Sequence, residues 1–306
     1  MDWRNEIVTA SDRIDGYVRR TPVMTLGLVS DHAPIEVKLE QMQHTGTFKA
    51  RGAFNSLLSS DVPKGGVVAA SGGNHGAAVA YAAARLGIAA HIFVPELAGP
   101  AKIGLIRRTG AALTVVPGVY ADALQAAQAH EAKTGAIQIH AYDAPGTVAG
   151  QGTCMAEFEN QGLEADTVLI AVGGGGLIAG AMAWLQGRRK LVAVEPVTSC
   201  ALHAALAAGA PVDVEVSGIA ANALGARRIG SICFDLAAAQ RVGSVLVDDA
   251  AIAEAQRALW TEARLLVEPA GAAALAALRS GAYRPEPDER IAVVICGANP
   301  APGPFD

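Results

Sequence analysis

A lysine directly behind a Thr-Gly-Thr-Phe turn is the first residue in this sequence that could do chemistry. Lys49 stands in KLEQMQHTGTFKARGAFN, residues 38–55, ahead of Arg51-Gly52-Ala53. Most lysines are solvated surface residues. One set among small and apolar neighbours is a candidate for burial, and burial favours the neutral amine that Schiff-base chemistry needs. Two glycine loops offer a complementary group. SGGNHG, Ser71 to Gly76, follows an apolar run and opens an alanine-rich one. Its N–H groups would lie at a helix N-terminus, where anions bind. Asn74 either adds a directed amide or simply caps the helix. GGGGL, Gly173 to Leu177, repeats the arrangement with four successive glycines. It reads as a phosphate cradle or as a bend that packing requires. Its spacing is not the strict GxGxxG and no GK[ST] follows, which disfavours nicotinamide dinucleotides and nucleoside triphosphates. A phosphate cradle with a desolvated lysine points to a phosphorylated aldehyde, and pyridoxal phosphate carries both groups.

These residues need a scaffold that brings three loops together. Short apolar runs alternate with alanine-rich helical ones: GVVAAS (66–71), HIFVPE (91–96), LTVVPG (113–118) and IQIHAYD (137–143) are predicted strands. Gly87, Gly110 and Gly135 each follow a helical run, where a left-handed residue closes the helix. A second series has strands TVLIAV (167–172), LVAVEP (191–196), SVLVDD (244–249) and RIAVVICGAN (290–299), with helices between them. Strands this short and apolar belong to parallel sheets covered on both faces. The expected fold class is therefore α/β, with two doubly wound open-sheet lobes and a ligand cleft at the carboxyl ends of the strands. The opening segment with KLEQ is expected to join the larger lobe. The proline-rich pieces at 284–288 and 300–305 read as a surface loop and a tail.

Composition excludes several classes. The chain has 306 residues, 51% apolar, with a net charge of −5 and acids and bases interspersed. No basic stripe marks a nucleic-acid partner and no polybasic patch marks a membrane surface. Thr167 to Gly187 is uncharged over a length that could span a bilayer, but the glycines at its centre favour strand, loop and helix. The charged N-terminus is no signal peptide. Cys154, Cys200, Cys233 and Cys296 are scattered and expected to be reduced, which fits a cytoplasmic protein. The seven histidines form no metal-like spacing, so no metal site is expected.

KLEQMQHTGTFKARGAFN, ASGGNHGAAVAYAA, VAGQGT, AVGGGGLIAG, VEP, LVEPAGAAALAAL and VVICGAN occur in this order. As a set they resemble the serine/threonine dehydratase family, pyridoxal-phosphate enzymes of fold type II (tryptophan synthase β-like) that include serine racemase. The resemblance covers essentially the whole chain. It implies a large cofactor-binding domain from residues 1–56 and 145–306 and a small domain from 57–144. It implies that Lys49 holds the cofactor aldehyde and, once released, acts as the base. Phe48 and Asn74 would flank the cofactor, Gly173, Gly174, Gly175, Gly176 and Leu177 would hold its phosphate, and Cys296 would face the pyridine nitrogen. Ser71, Gly72, Gly73, Asn74 and His75 would hold the substrate carboxylate. The implied reaction removes water and ammonia from L-threonine or L-serine to give a 2-oxo acid. The alternatives are elimination or replacement on another β-substituted amino acid such as hydroxyaspartate, or a binding protein that kept the fold and lost the chemistry. A homodimer acting on a free amino acid is expected.

Five departures from the family pattern bear on function. Racemases carry a serine where this chain has Gly72, so elimination without racemisation is expected. Glu195 stands where many members bind a divalent cation, but the accompanying acid is Ala201, so Glu195 is expected merely to end a strand. Ala221-Asn222-Ala223 replaces a usual Ala-Asp pair before a small residue. Pro300 after Asn299 is atypical. The chain stops at Asp306, so feedback control by a C-terminal regulatory domain is not expected.

Overall fold

The structure is a computed structural model and describes residues 1–30, 32–98, 100–118 and 120–299. The chain opens with α1 (Trp3–Ile14), β1 (Val23–Leu26), β2 (Ile35–Leu39) and α2 (Lys49–Ser59). Then come β3 (Val67–Ala70), α3 (Asn74–Leu86), β4 (Ala90–Pro95), α4 (Pro100–Arg107), β5 (Ala112–Val116), α5 (Tyr120–Thr134) and β6 (Ile137–Gln138). After α6 (Pro145–Asn160) follow β7 (Thr167–Ala171), α7 (Gly176–Leu185), β8 (Lys190–Pro196), α8 (Ala201–Ala208), α9 (Ala221–Leu224) and α10 (Ser231–Gln240). β9 (Gly243–Val247), α11 (Asp249–Ala263), α12 (Pro269–Arg279) and β10 (Ile291–Ile295) complete it.

The strands form two sheets. Four parallel strands run in the order β5-β4-β3-β6, and six in the order β1-β2-β10-β7-β8-β9. In the larger sheet only the β1–β2 pair is antiparallel. β3 shows why its sequence lacks polar alternation. Val67 and Ala69 enter one core with the alanines of α3, while Val68 and Ala70 enter another with Ala123 and Ala127 of α5. A strand covered on both faces has no solvent side. β7 and β10 are likewise buried throughout. The fold is the expected α/β arrangement of two open sheets, and β2 does join the larger sheet. We propose dividing the chain at 57 and 145, because every strand of the four-stranded sheet lies between those points.

The uncharged 167–187 segment is β7, a glycine turn and the ten-residue α7. No helix among the described residues is long and apolar enough to cross a membrane. Gly87, Gly110 and Gly135 have the expected positive φ of 66°, 79° and 69°. One expected strand is cut short. Of 137–143 only Ile137 and Gln138 are β-strand, with the Ile139 N–H extending the pairing to Val68 O. Beyond it the chain is spent on other contacts: His140 Nδ1 accepts the N–H groups of Tyr142 and Asp143, and the Ala141 carbonyl accepts Lys49. Residues 284–288 form a loop as expected, while the 300–305 tail lies outside the described residues.

Candidate active site

The Thr-Gly-Thr-Phe turn is sewn to the end of β10, which fixes where α2 begins. Thr47 pairs with Gly297, Phe48 N–H donates to Cys296 O at 3.3 Å, and Ala298 N–H donates to Gly46 O at 2.9 Å. The turn needs left-handed backbone at both Thr45 (φ 62°) and Gly46 (φ 74°). A Cβ at Gly46 would also lie 2.8 Å from Asn299 Oδ1. Lys49 is thus delivered as the first residue of α2, partly buried, with Nζ donating to Ala141 O at 2.8 Å. Loss of solvation lowers its pKa to about 8, against the electrostatic pull of Cys296 and Glu268 in the other direction.

Gly173–Gly176 lead from β7 into α7. Their form is dictated from outside: a Cβ on Gly174 would strike the Tyr142 ring at 2.2 Å, and one on Gly175 would meet Cys233 Sγ at 2.4 Å. Gly175 also has φ 92°. Packing therefore does require glycine here, and the same requirement leaves the first-turn N–H groups of α7 bare and without intrahelical acceptors. The packing and cradle readings are two sides of one feature.

The 71–76 loop enters α3 through Gly73, not through Asn74. Asn74 is no cap. Its Nδ2 donates to Glu268 Oε1 at 2.6 Å and its Oδ1 accepts Asn299 Nδ2 at 2.9 Å. Asn299 Nδ2 also donates to Thr45 O at 2.8 Å. This chain of amides ties the small sheet's helix to the larger lobe. His75 is buried with Nε2 at 2.8 Å from Ile139 O. Burial and nearby Lys49 push its pKa down to about 3, so it is neutral. Ser71 Oγ accepts Gly73 N–H, and Gly72 lies against Ala98 and Val94, where a Cβ would sit 2.3 Å from Ala98 Cβ.

A cleft of about 430 Å³, open to solvent, gathers Phe48, Lys49, Asn74, Gly173, Gly174, Gly175, Gly176, Leu177 and Cys296. Every residue expected beside the cofactor lines it. Of the five expected at the substrate carboxylate, only Asn74 does. Ser71, Gly72, Gly73 and His75 are not among its lining residues, and the side chains of Ser71 and His75 are bonded to Gly73 N–H and Ile139 O. Cys296 is buried, burial raises its pKa, and its thiol donates to Ala270 O at 3.3 Å, so it is a neutral group. Glu195 does more than end a strand. Its two oxygens accept the N–H groups of Leu202 and His203, both at 2.8 Å, at the start of α8. Burial nonetheless pushes its pKa up to about 7. Among the described residues no cluster could hold a metal ion.

Sequence reasoning singled out Ala223 but missed three other lining residues of consequence: Glu268, Ala270 and Leu224. Glu268 is only 4% exposed. The Glu-Pro opening of an alanine-rich run was its one signal, since proline favours the first helical turn and leaves the preceding side chain at the helix mouth.

The donor set suits pyridoxal phosphate. Bare N–H groups at a helix start suit a phosphate dianion, a low-pKa amine suits an aldehyde, and a neutral thiol suits an uncharged pyridine nitrogen. A sequence model described as "Pyridoxal-phosphate dependent enzyme" matches residues 14–297. The chain is 34% identical to phenylserine dehydratase of Ralstonia pickettii over 94% of its length and 90% of that protein's. It is 33% identical to L-threonine ammonia-lyase of Thermotoga maritima, over 96% and 75%. The solved structure of maize serine racemase superposes with a TM-score of 0.90 at 31% identity, covering 97% of this chain and 93% of that one.

Proposed function

The chain belongs to the pyridoxal-phosphate dependent enzyme family, among the threonine and serine dehydratase-like lyases, and from that premise we propose that it removes ammonia from L-threonine or L-serine to leave a 2-oxo acid. The observation carrying this reading is the convergence in one cleft of Lys49, Asn74, Gly173–Gly176 and Cys296. Bound pyridoxal phosphate supplies an electron sink that acidifies the substrate Cα–H and lets the β-hydroxyl leave.

The protein's part is holding and proton transfer. The N–H groups at the start of α7 hold the phosphate. Asn74, fixed by Glu268 and Asn299, presents an amide to the middle of the cleft. The 71–75 loop offers backbone N–H groups at the start of α3 to the substrate carboxylate. Lys49 takes the Cα proton at Nζ, and a pKa near 8 places it close to the operating range of a general base. Gly72 has no proton to give from the opposite side and no room for a side chain that would, so racemisation is not part of the activity. The enzyme acts as a cytoplasmic homodimer on a free amino acid.

The test is 2-oxo acid release from both amino acids by cofactor-loaded protein, with Lys49→Ala alongside and chiral chromatography of the serine reaction. Product from the parent, none from the variant and no D-serine supports the reading. D-serine formation removes the argument from Gly72. No 2-oxo acid from either amino acid removes the assignment.

A further inference from the structure

A second hollow of about 300 Å³ opens beside the cleft and shares Ala223, Glu268 and Ala270 with it. Its walls are mainly Ile219, Ala220, Ala223, Pro269 and Ala270, and Ile219, 42% exposed, sits among them. We propose that this annex receives the substrate's β-substituent and restricts the enzyme to β-hydroxy amino acids whose β-substituent is uncharged and apolar. The inference rests on the ammonia-lyase reading and narrows it. Ala223, Glu268 and Ala270 line both hollows, so a substituent carried toward them from the Lys49 side enters the annex.

The chemistry of the annex sets the selection. Among the described residues that line it there is no lysine, arginine or histidine, and Glu268 brings a carboxylate. A second carboxylate on the substrate would enter against a like charge with no cation to receive it. Of the two amides, Asn299 already donates to Thr45 O and Asn74 Oδ1, and Asn222 is exposed. Asn222 also brings no charge of its own. The apolar walls instead favour a methyl over a hydrogen, and the opening to solvent leaves larger apolar groups unobstructed.

The experiment compares kcat/KM of the cofactor-loaded full chain for L-threonine, L-serine, threo-3-phenylserine and threo-3-hydroxyaspartate. Threonine is expected to exceed serine by about tenfold, the low end of what one methyl earns in an apolar pocket. Phenylserine is expected within about tenfold of threonine, and hydroxyaspartate at least about 100-fold below it. Ile219→Lys, which adds a cation at an exposed wall, should raise the hydroxyaspartate-to-threonine ratio by about tenfold or more. Hydroxyaspartate turned over as well as threonine overturns the proposal. So does phenylserine that is neither substrate nor competitive inhibitor, and so does an unchanged ratio in Ile219→Lys. No 2-oxo acid from any of the four removes the ammonia-lyase reading itself, and the annex assignment with it.

Discussion

Lys49 and Arg51 lie two residues apart on α2, and the molecule treats them in opposite ways. Positions i and i+2 of a helix point in different directions. Arg51 points into the core at 1% exposure, where Nε and Nη2 meet the two oxygens of Glu40, both at 2.8 Å, and Nη2 also reaches Glu157 at 2.9 Å. Lys38, fully buried, joins the same cluster through Glu157 at 2.6 Å, Gln161 and Thr21. Burial alone would discharge Arg51 and Glu40. Their opposite charges override it: Glu40 and Glu157 hold Arg51 more firmly charged, and Arg51 and Lys38 hold Glu40 below the usual carboxylate range. Lys49 faces the cleft, donates to a carbonyl, and has its pKa lowered by the same burial. Arg51 anchors the helix, and Lys49, the proposed reagent, sits on the anchored position; partners, not residue type or depth, separate the two.

The sharpest way to break this comparison is to remove each charge in turn. Lys49→Ala should cut 2-oxo acid formation by about 10⁴-fold or more, near 5 kcal/mol, and leave the thermal unfolding transition close to the parent's. Activity within tenfold of the parent would show that Lys49 is not the base. Arg51→Met should act on stability: stranding Glu40 in the core should cost about 3–5 kcal/mol in denaturant unfolding. Adding Glu40→Leu to that variant should recover part of the loss, because the stranded carboxylate is the larger fault.

Glu195 extends the comparison to a buried carboxyl whose partners among the described residues are the backbone N–H groups of Leu202 and His203. Its folded pKa of about 7 lies above the ordinary value of 4.5, so the folded protein binds the extra proton between those limits. Stability from this group is full below about pH 4.5 and is lost as pH rises through 7, by roughly 3 kcal/mol in all. Urea unfolding of parent and Glu195→Ala at pH 5 and pH 8 checks it. A parent no less stable at pH 8, relative to the variant, would count against it.

The smallest effect concerns Lys49 itself. With a pKa of about 8 its neutral fraction grows by about eightfold from pH 7 to 8.5 and then levels off. The rate at which apo-protein takes up pyridoxal phosphate should follow that curve. A rate still climbing beyond pH 10 would mark an ordinary exposed lysine.

Much of this was legible in the sequence because backbone does the work. Four glycines between a strand and a helix state their conformation directly, as do unbroken apolar runs for doubly covered strands. Side-chain pairings across long separations were not legible. Nothing local to Glu268 or Asn299 reveals that both bond to Asn74, 194 and 225 residues away. Arg51 and Glu157 are 106 residues apart, and Lys38 reads as surface until β2 is placed beneath α6. Glu195 showed its strand but not that α8 would begin against its carboxylate. The 137–143 strand failed because tertiary contacts at Ala141 and Asp143 outbid local preference.

Lys49, alone among the lysines, is proposed as the amine that meets the cofactor. Borohydride reduction of the pyridoxal-phosphate-loaded protein, followed by peptide mass mapping, tests it directly. The pyridoxyl group is expected on Lys49, in the peptide containing Thr47 and Phe48, and nowhere else in stoichiometric amount. A stoichiometric adduct on Lys38 or any other lysine, or a protein that takes none, would contradict it.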